Sequence, residues 1–217
     1  MQDDSARVGD ALPGQIAVSP NNPCPFLRAL VASGLLRDHI VPVRKLCGVV
    51  EAATAATGSS KMLLGIGAFL VITIANGLRP SRLLRNLLFG AELDQLRNGP
   101  LDKQGGGSRI LDTEANVHEG EIDRLAGFGS DRLDLTGRSE RGLNAEQIET
   151  YLRANLERDV PNRRRKYSIL MHGEWSLMMR AMGKGSGAER YLSVSEVRTM
   201  FVERIGRDTN FYWIVPR

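Results

Sequence analysis

Met62 to Leu78 is a run of 17 residues without a charge. A run of that length is at the lower limit for crossing a bilayer. Gly65, Gly67 and Asn76 lower its hydrophobicity, and no second run accompanies it. The pattern therefore predicts a buried core helix over roughly 61–78 rather than a membrane span.

The rest of the composition suits such a core. The chain has 217 residues, 42% hydrophobic and 25% charged, the balance of a soluble globular protein. Only 6% of residues are aromatic, which argues against a stacking platform for single-stranded nucleic acid. Two cysteines exclude a disulfide scaffold. The net charge of +4 comes from 24 Arg and 5 Lys against 25 acids. These charges are mixed rather than gathered in a stripe, so no nucleic-acid partner is expected. Met1 to Asn22 carries Asp3, Asp4 and Asp10 and lacks the basic-then-apolar order of a secretory signal. With no N-x-Ser/Thr acceptor, the expectation is a cytoplasmic protein with free thiols.

Helical periodicity recurs along the chain. Residues 1–20 read as a loose tail and 21–217 as a single domain. Pro25 suits the first turn of a helix, and Phe26, Leu27, Leu30, Val31 and Leu35 follow at helical spacing up to Gly34. Further helices are predicted over 44–56 and 81–96. Another runs from an Asn144 cap with Gln147 as its capping-box partner to about Asp159. The next covers 167–182, and the last runs from a Ser193 cap, with Glu196 at the third position, to about Arg204. Glycine-rich loops are predicted at 97–108 and 127–142, with a turn at 183–187. The expected fold class is all-α, a single-domain helical bundle.

Several candidate motifs fail on spacing. Gly183-Lys184-Gly185-Ser186-Gly187 lacks the Walker pattern, and Gly65-Ile66-Gly67 is followed by Leu70 where a dinucleotide fingerprint needs glycine. His39, His118 and His172 show no zinc spacing with the cysteines. Cys24 is the more informative residue. Flanked by Pro23 and Pro25, it sits at the mouth of a helix, where unpaired N–H groups and the helix dipole favour a thiolate. Such a sulfur serves as nucleophile, redox thiol or axial metal ligand, or is an inert buried cysteine.

The segment Pro23-Cys24-Pro25-Phe26-Leu27-Arg28-Ala29-Leu30-Val31-Ala32-Ser33-Gly34-Leu35-Leu36 resembles the proximal motif of the haem-thiolate chloroperoxidase and unspecific peroxygenase family, P-C-P-x-L-N-x-L-A-N-H-G-[YF]-[LI]. Pro23, Cys24, Pro25, Leu27, Leu30, Gly34 and Leu36 match. Arg28, Val31, Ala32, Ser33 and Leu35 depart. Further on, His118-Glu119-Gly120-Glu121-Ile122-Asp123 is similar to the family's E-G-D-x-S segment, which binds magnesium beside a haem propionate. Gly173-Glu174-Trp175-Ser176-Leu177-Met178-Met179 resembles its distal helix. Leu192 to Arg204 resembles its closing helix, with Glu203-Arg204 in place and Trp213 standing for the family tryptophan.

The resemblance implies haem b ligated by Cys24 and an acid–base carboxylate at Glu174. It also implies a magnesium ion held by Glu119, Gly120 and Asp123. The implied activity is a peroxidase or peroxygenase that uses H2O2 on a small apolar or aromatic substrate, or on halide. Glu174 takes a proton from one peroxide oxygen and returns it to the other, and Leu170, Trp175, Met178 and Met179 are its expected apolar wall. The family partner of that glutamate, an Arg seven residues earlier or the His of E-H-D, is replaced here by Tyr167 or Gly120. His172, Arg165 and His118 are the open substitutes. The alternative reading is a non-catalytic haem-binding or helical interaction protein on the same scaffold.

Overall fold

The computed structural model describes residues 18–32, 34–42, 44–46, 48–49, 80–97, 99, 102–103, 105–114, 116–134 and 136–202. The core helix expected at 61–78, nearly all of the N-terminal tail, most of the helix at 44–56, and the chain from 203 to Trp213 and beyond lie outside these residues.

The first helix forms where the apolar spacing predicts it. In α1 (Pro25–Ala32) the proline stands at the first position, where its missing N–H leaves no bond unmade. Phe26, Leu27, Leu30 and Val31 are buried. Gly34, at φ 72°, turns the chain so that the Leu35 and Leu36 N–H groups both reach the Leu30 carbonyl. The turn also buries Leu35 and Leu36.

The all-α expectation is corrected by two antiparallel sheets. In the smaller, β1 (Ile40–Val41) pairs with β2 (Ala91–Glu92), Ile40 opposite Glu92. Helix α2 (Pro80–Phe89) leads into β2, and a single 3-10 turn, Leu93–Gln95, follows it. The helix expected over 81–96 therefore stops at Phe89. In the larger sheet β3 (Ser130–Leu133) pairs with β4 (Ser139–Asn144), and β4 with β5 (Tyr191–Ser193). The segment read as a loop, 127–142, is thus mostly a hairpin. It holds through cross-strand contacts rather than an apolar alternation: Arg141 pairs with Asp131 opposite at 3.1 Å, and Arg132 lies over the Tyr191 ring at 5.4 Å.

Helices grow directly out of these strands. Helix α3 (Glu119–Phe128) precedes β3. Strand β4 runs into α4 (Ala145–Leu156) through the capping box read from the sequence. The Gln147 N–H donates to Asn144 Oδ1 at 2.9 Å, and the Asn144 N–H donates to Gln147 Oε1 at 3.0 Å. Helix α5 (Pro161–Met182) starts earlier than Tyr167 because Pro161 opens it, so Arg163 to Lys166 form its exposed first turns. Strand β5 runs into α6 (Val194–Phe201). Ser193 precedes α6 but makes no capping bond with its side chain, which donates instead to Glu140 at 2.6 Å. Glu196 is drawn to Lys184 at 3.0 Å.

The core lies where α4 packs on α5 and α1 on α6. Leu30, Ile122, Leu143, Tyr151, Met171 and Leu192 are fully enclosed there. The Tyr151 ring meets Phe128 and Trp175 edge-on, both at 5.5 Å between centroids. No helix among the described residues is long and apolar enough to cross a membrane.

Candidate functional site

Cys24 precedes the first turn of α1, half-buried, with a free thiol packed against the core. Its N–H donates to Asn22 Oδ1 at 3.3 Å, and its carbonyl accepts from the Arg28 N–H at 2.9 Å. Burial is the largest influence on the sulfur and disfavours a thiolate, and the negative charge of Glu174 adds to it. The N–H groups of Leu27 and Phe26 and the Lys103 ammonium oppose both without prevailing. The thiol is pushed up to about 11, so the helix N-terminus does not by itself make a thiolate here. In protein without added cofactor at pH 8, iodoacetamide should therefore modify Cys24 at least about tenfold more slowly than an unperturbed thiol. Peptide-level mass spectrometry reads this rate. Replacing Glu174 by Gln should speed it, because one charge opposing ionisation is gone. Alkylation as fast as in a denatured control would show that the sulfur is neither buried nor under that charge.

Glu174 comes from the other end of the chain, on the core-facing stripe of α5 formed by Tyr167, Met171, Trp175 and Met178. Its side chain is 38% exposed. Trp175 and Met178 are buried, and Leu170 and Met179 are half-buried.

The partner of Glu174 is Lys103, whose ammonium donates to Oε2. None of the three substitutes read from the sequence fills this place. His172 Nε2 bonds Glu149 at 2.8 Å and its Nδ1 donates to the Ser168 carbonyl at 2.6 Å. Arg165 is exposed on the first turns of α5, and His118 stands at the start of α3. Lys103 was hidden in the segment read as a flexible loop. Its only local signal was Gly105-Gly106-Gly107 immediately after it, a composition that lets a backbone lie close to a neighbour. The loop's described residues 103 and 105–108 are tied down. The Tyr167 hydroxyl donates to the Lys103 carbonyl at 2.9 Å, and the buried Gly107 N–H donates to Asp159 at 3.0 Å. The Tyr151 hydroxyl donates to the Ser108 carbonyl at 2.9 Å.

The general metal-binding expectation is corrected by the absence of a clustered ligand set among the described residues. Among the described residues no group of three or more His, Cys, Asp or Glu is placed to hold a metal ion. The carboxylates of Glu119 and Asp123, expected with Gly120 to hold magnesium, meet an arginine. Arg198 of α6 reaches across α3, binding Asp123 Oδ1 at 2.6 Å and Glu119 with its other amine. Arg158 holds Glu121 in a two-point pair at 2.6 and 2.8 Å, keeping that carboxyl below its usual range. An open cleft of about 310 Å³ borders this segment, lined by Arg109, Asp112, His118, Glu121 and Arg158. Its guanidinium groups are already engaged, Arg158 by Glu121 and Arg109 by Asp159 at 3.4 Å.

No protein-family model matches this chain, and no curated protein or solved structure is similar to it at a significant level.

Proposed function

We propose that the chain is a haem-thiolate peroxidase or peroxygenase, with Cys24 as the axial sulfur and Glu174 as the carboxylate that moves peroxide protons. What supports this reading is the family-like order of the motifs, with Cys24 at the mouth of α1 and Glu174 on α5 beside the buried Trp175 and Met178. A porphyrin iron asks a single sulfur of the protein, not a cluster of ligands. The donor set suits that demand. Burial and the Glu174 charge keep the free sulfur protonated, against the pull of the Leu27 and Phe26 N–H groups. The neutral thiol gives up its proton when iron replaces it, so uptake of the cofactor releases a proton and strengthens with pH. Haem, when bound, supplies the redox iron, and a thiolate ligand donates electron density that favours O–O cleavage. Glu174 supplies what the iron cannot, a group that accepts a proton from one oxygen of H2O2 and delivers it to the departing one. The substrate class is a small apolar or aromatic compound, or halide.

The test is optical. Protein expressed with haem supplied should be brown, and its ferrous–CO complex should absorb near ~450 nm, the mark of strong axial donation. Cys24→Ala should abolish that band. Equal haem binding without Cys24, or a colourless wild type, overturns the reading.

One contact favours a second reading, a haem-binding protein without turnover: the carboxylate of Glu174 is already engaged by the Lys103 ammonium. Peroxide-dependent oxidation that collapses in Glu174→Gln excludes it. Identical slow rates in both proteins establish it.

A further inference from the structure

We propose that Lys103 is the positioning residue for Glu174, set beside it by the packing of glycine-rich residues 105–109 against α5; this rests on the peroxidase reading above. The ammonium bonds Oε2, and on this proposal the proton transfer falls to the other oxygen, Oε1. A lysine is a flexible point charge, and fixing it costs side-chain entropy that a substrate-binding step would otherwise bear. Here the cost is met by the fold. The Lys103 carbonyl accepts from both the Tyr167 hydroxyl and the Gly106 N–H, each at 2.9 Å. The Lys103 side chain is only 18% exposed. Gly106 and Gly107 lie so close to α5 that a Cβ on either would come within 2.4 Å of the Tyr167 ring or 2.9 Å of the Met171 sulfur. Tyr167, Met171 and Glu174 share one face of that helix. The loop thus rests on the stripe that carries the carboxylate and meets it with one cation.

In the haem-loaded full chain, Lys103→Met should lower kcat for peroxide-dependent oxidation by about ten- to a hundredfold, the penalty of a misplaced acid–base group. The KM for the organic substrate should stay within about twofold, since Lys103 acts on the carboxylate and not on that substrate. In a Glu174→Gln background the same replacement should change the rate by less than about twofold, because the two residues act as one unit. A second readout needs no turnover and no Lys103 variant that folds well. In protein labelled with nitrogen-15 lysine, the sheltered ammonium should give a slowly exchanging resonance that Glu174→Gln shifts or broadens away. Unchanged kcat in Lys103→Met, or equal losses in both backgrounds, overturns the proposal. So does an ammonium resonance indifferent to Glu174→Gln. Loss of the peroxidase reading has its own signature, no Cys24-dependent band while the ammonium still answers to Glu174; it removes the catalytic role of the pair and overturns the proposal by that separate route.

Discussion

Lys184→Met should destabilise the protein by about 3–5 kcal/mol, seen as a fall in the urea midpoint at unchanged slope. Lys184 lies in the turn between α5 and β5, paired in an isolated bridge with Tyr191. Its ammonium bonds Glu140 of β4 at 2.8 and 3.1 Å and Glu196 of α6 at 3.0 Å. The three side chains are 14%, 16% and 8% exposed, so solvent screens them little. Burial works against the charge on Lys184, but the two carboxylates outweigh it and hold the ammonium above its usual pKa. Burial likewise works against the charge on Glu140, and its bonds from Lys184, Ser193 and Tyr191 outweigh it and depress its pKa. Removing the ammonium leaves two carboxylates facing each other with no cation between. Glu140 keeps its bonds from Tyr191 at 2.8 Å and Ser193 at 2.6 Å, which places the loss toward the lower end of the range.

The pH window follows from the signs. The Glu140 contribution is complete above its ordinary value of 4.5 and is lost as pH falls through its depressed folded value. The Lys184 contribution is complete below its ordinary value of 10.5 and is lost as pH rises through its raised folded value. Wild type and Lys184→Met should therefore differ most between those limits and converge in acid. A difference under about 1 kcal/mol at neutral pH would mean that the cluster is as weak as a surface pair.

This cluster also shows what a sequence conceals. Elements that depend on neighbours in sequence were legible. Asn144 and Gln147 stand three apart and cap α4 as read. Pro25 and the apolar spacing after it define α1, and the helix read over 167–182 lies within α5, with Trp175 and Met178 of its expected apolar wall buried. The hairpin was not legible because its strands carry charges where an alternation would be sought. Asp131, Arg132, Glu140 and Arg141 meet partners across the sheet or beyond it. Ser193 and Glu196 have the spacing of a capping box, yet a half-buried lysine twelve positions earlier claims the glutamate and a glutamate of another strand claims the serine. The acidic turn at Glu119 and Asp123 has the composition of a cation site, and composition cannot reveal that Arg198 of a later helix closes over it. Glu174 had no readable partner for the same reason, since Lys103 lies 71 positions away. What the residues around Cys24 did show was the helix mouth. They did not show how far burial and a distant carboxylate would oppose its ionisation.

Gly106→Ala should cost about 1–3 kcal/mol and disturb the Lys103–Glu174 pair, although it adds only one methyl group. The new Cβ would lie 2.4 Å from Cε2 of Tyr167, 3.0 Å from its Cζ and 3.1 Å from the Lys103 carbonyl oxygen. Real carbon contacts do not come so close, so either the loop lifts or the ring turns. The ring is held: Tyr167 is 4% exposed and its hydroxyl is bonded to the Lys103 carbonyl. Either movement therefore displaces Lys103, whose carbonyl also accepts from the Gly106 N–H. Gly173→Ala is the control, one residue from Glu174 inside α5, where an added Cβ meets nothing within 4 Å. That change should stabilise the helix by about 0.5–1 kcal/mol, because alanine has less backbone freedom to lose on folding. Thermal and urea unfolding of both variants give the stabilities, and the lysine ammonium resonance reports the pair directly. If the two alanines act alike, the loop yields to the methyl group and the backbone of residues 105–109 is not what fixes Lys103. If Gly106→Ala alone loses both stability and the resonance, a glycine that touches neither sulfur nor carboxylate sets the distance at which a cation meets Glu174.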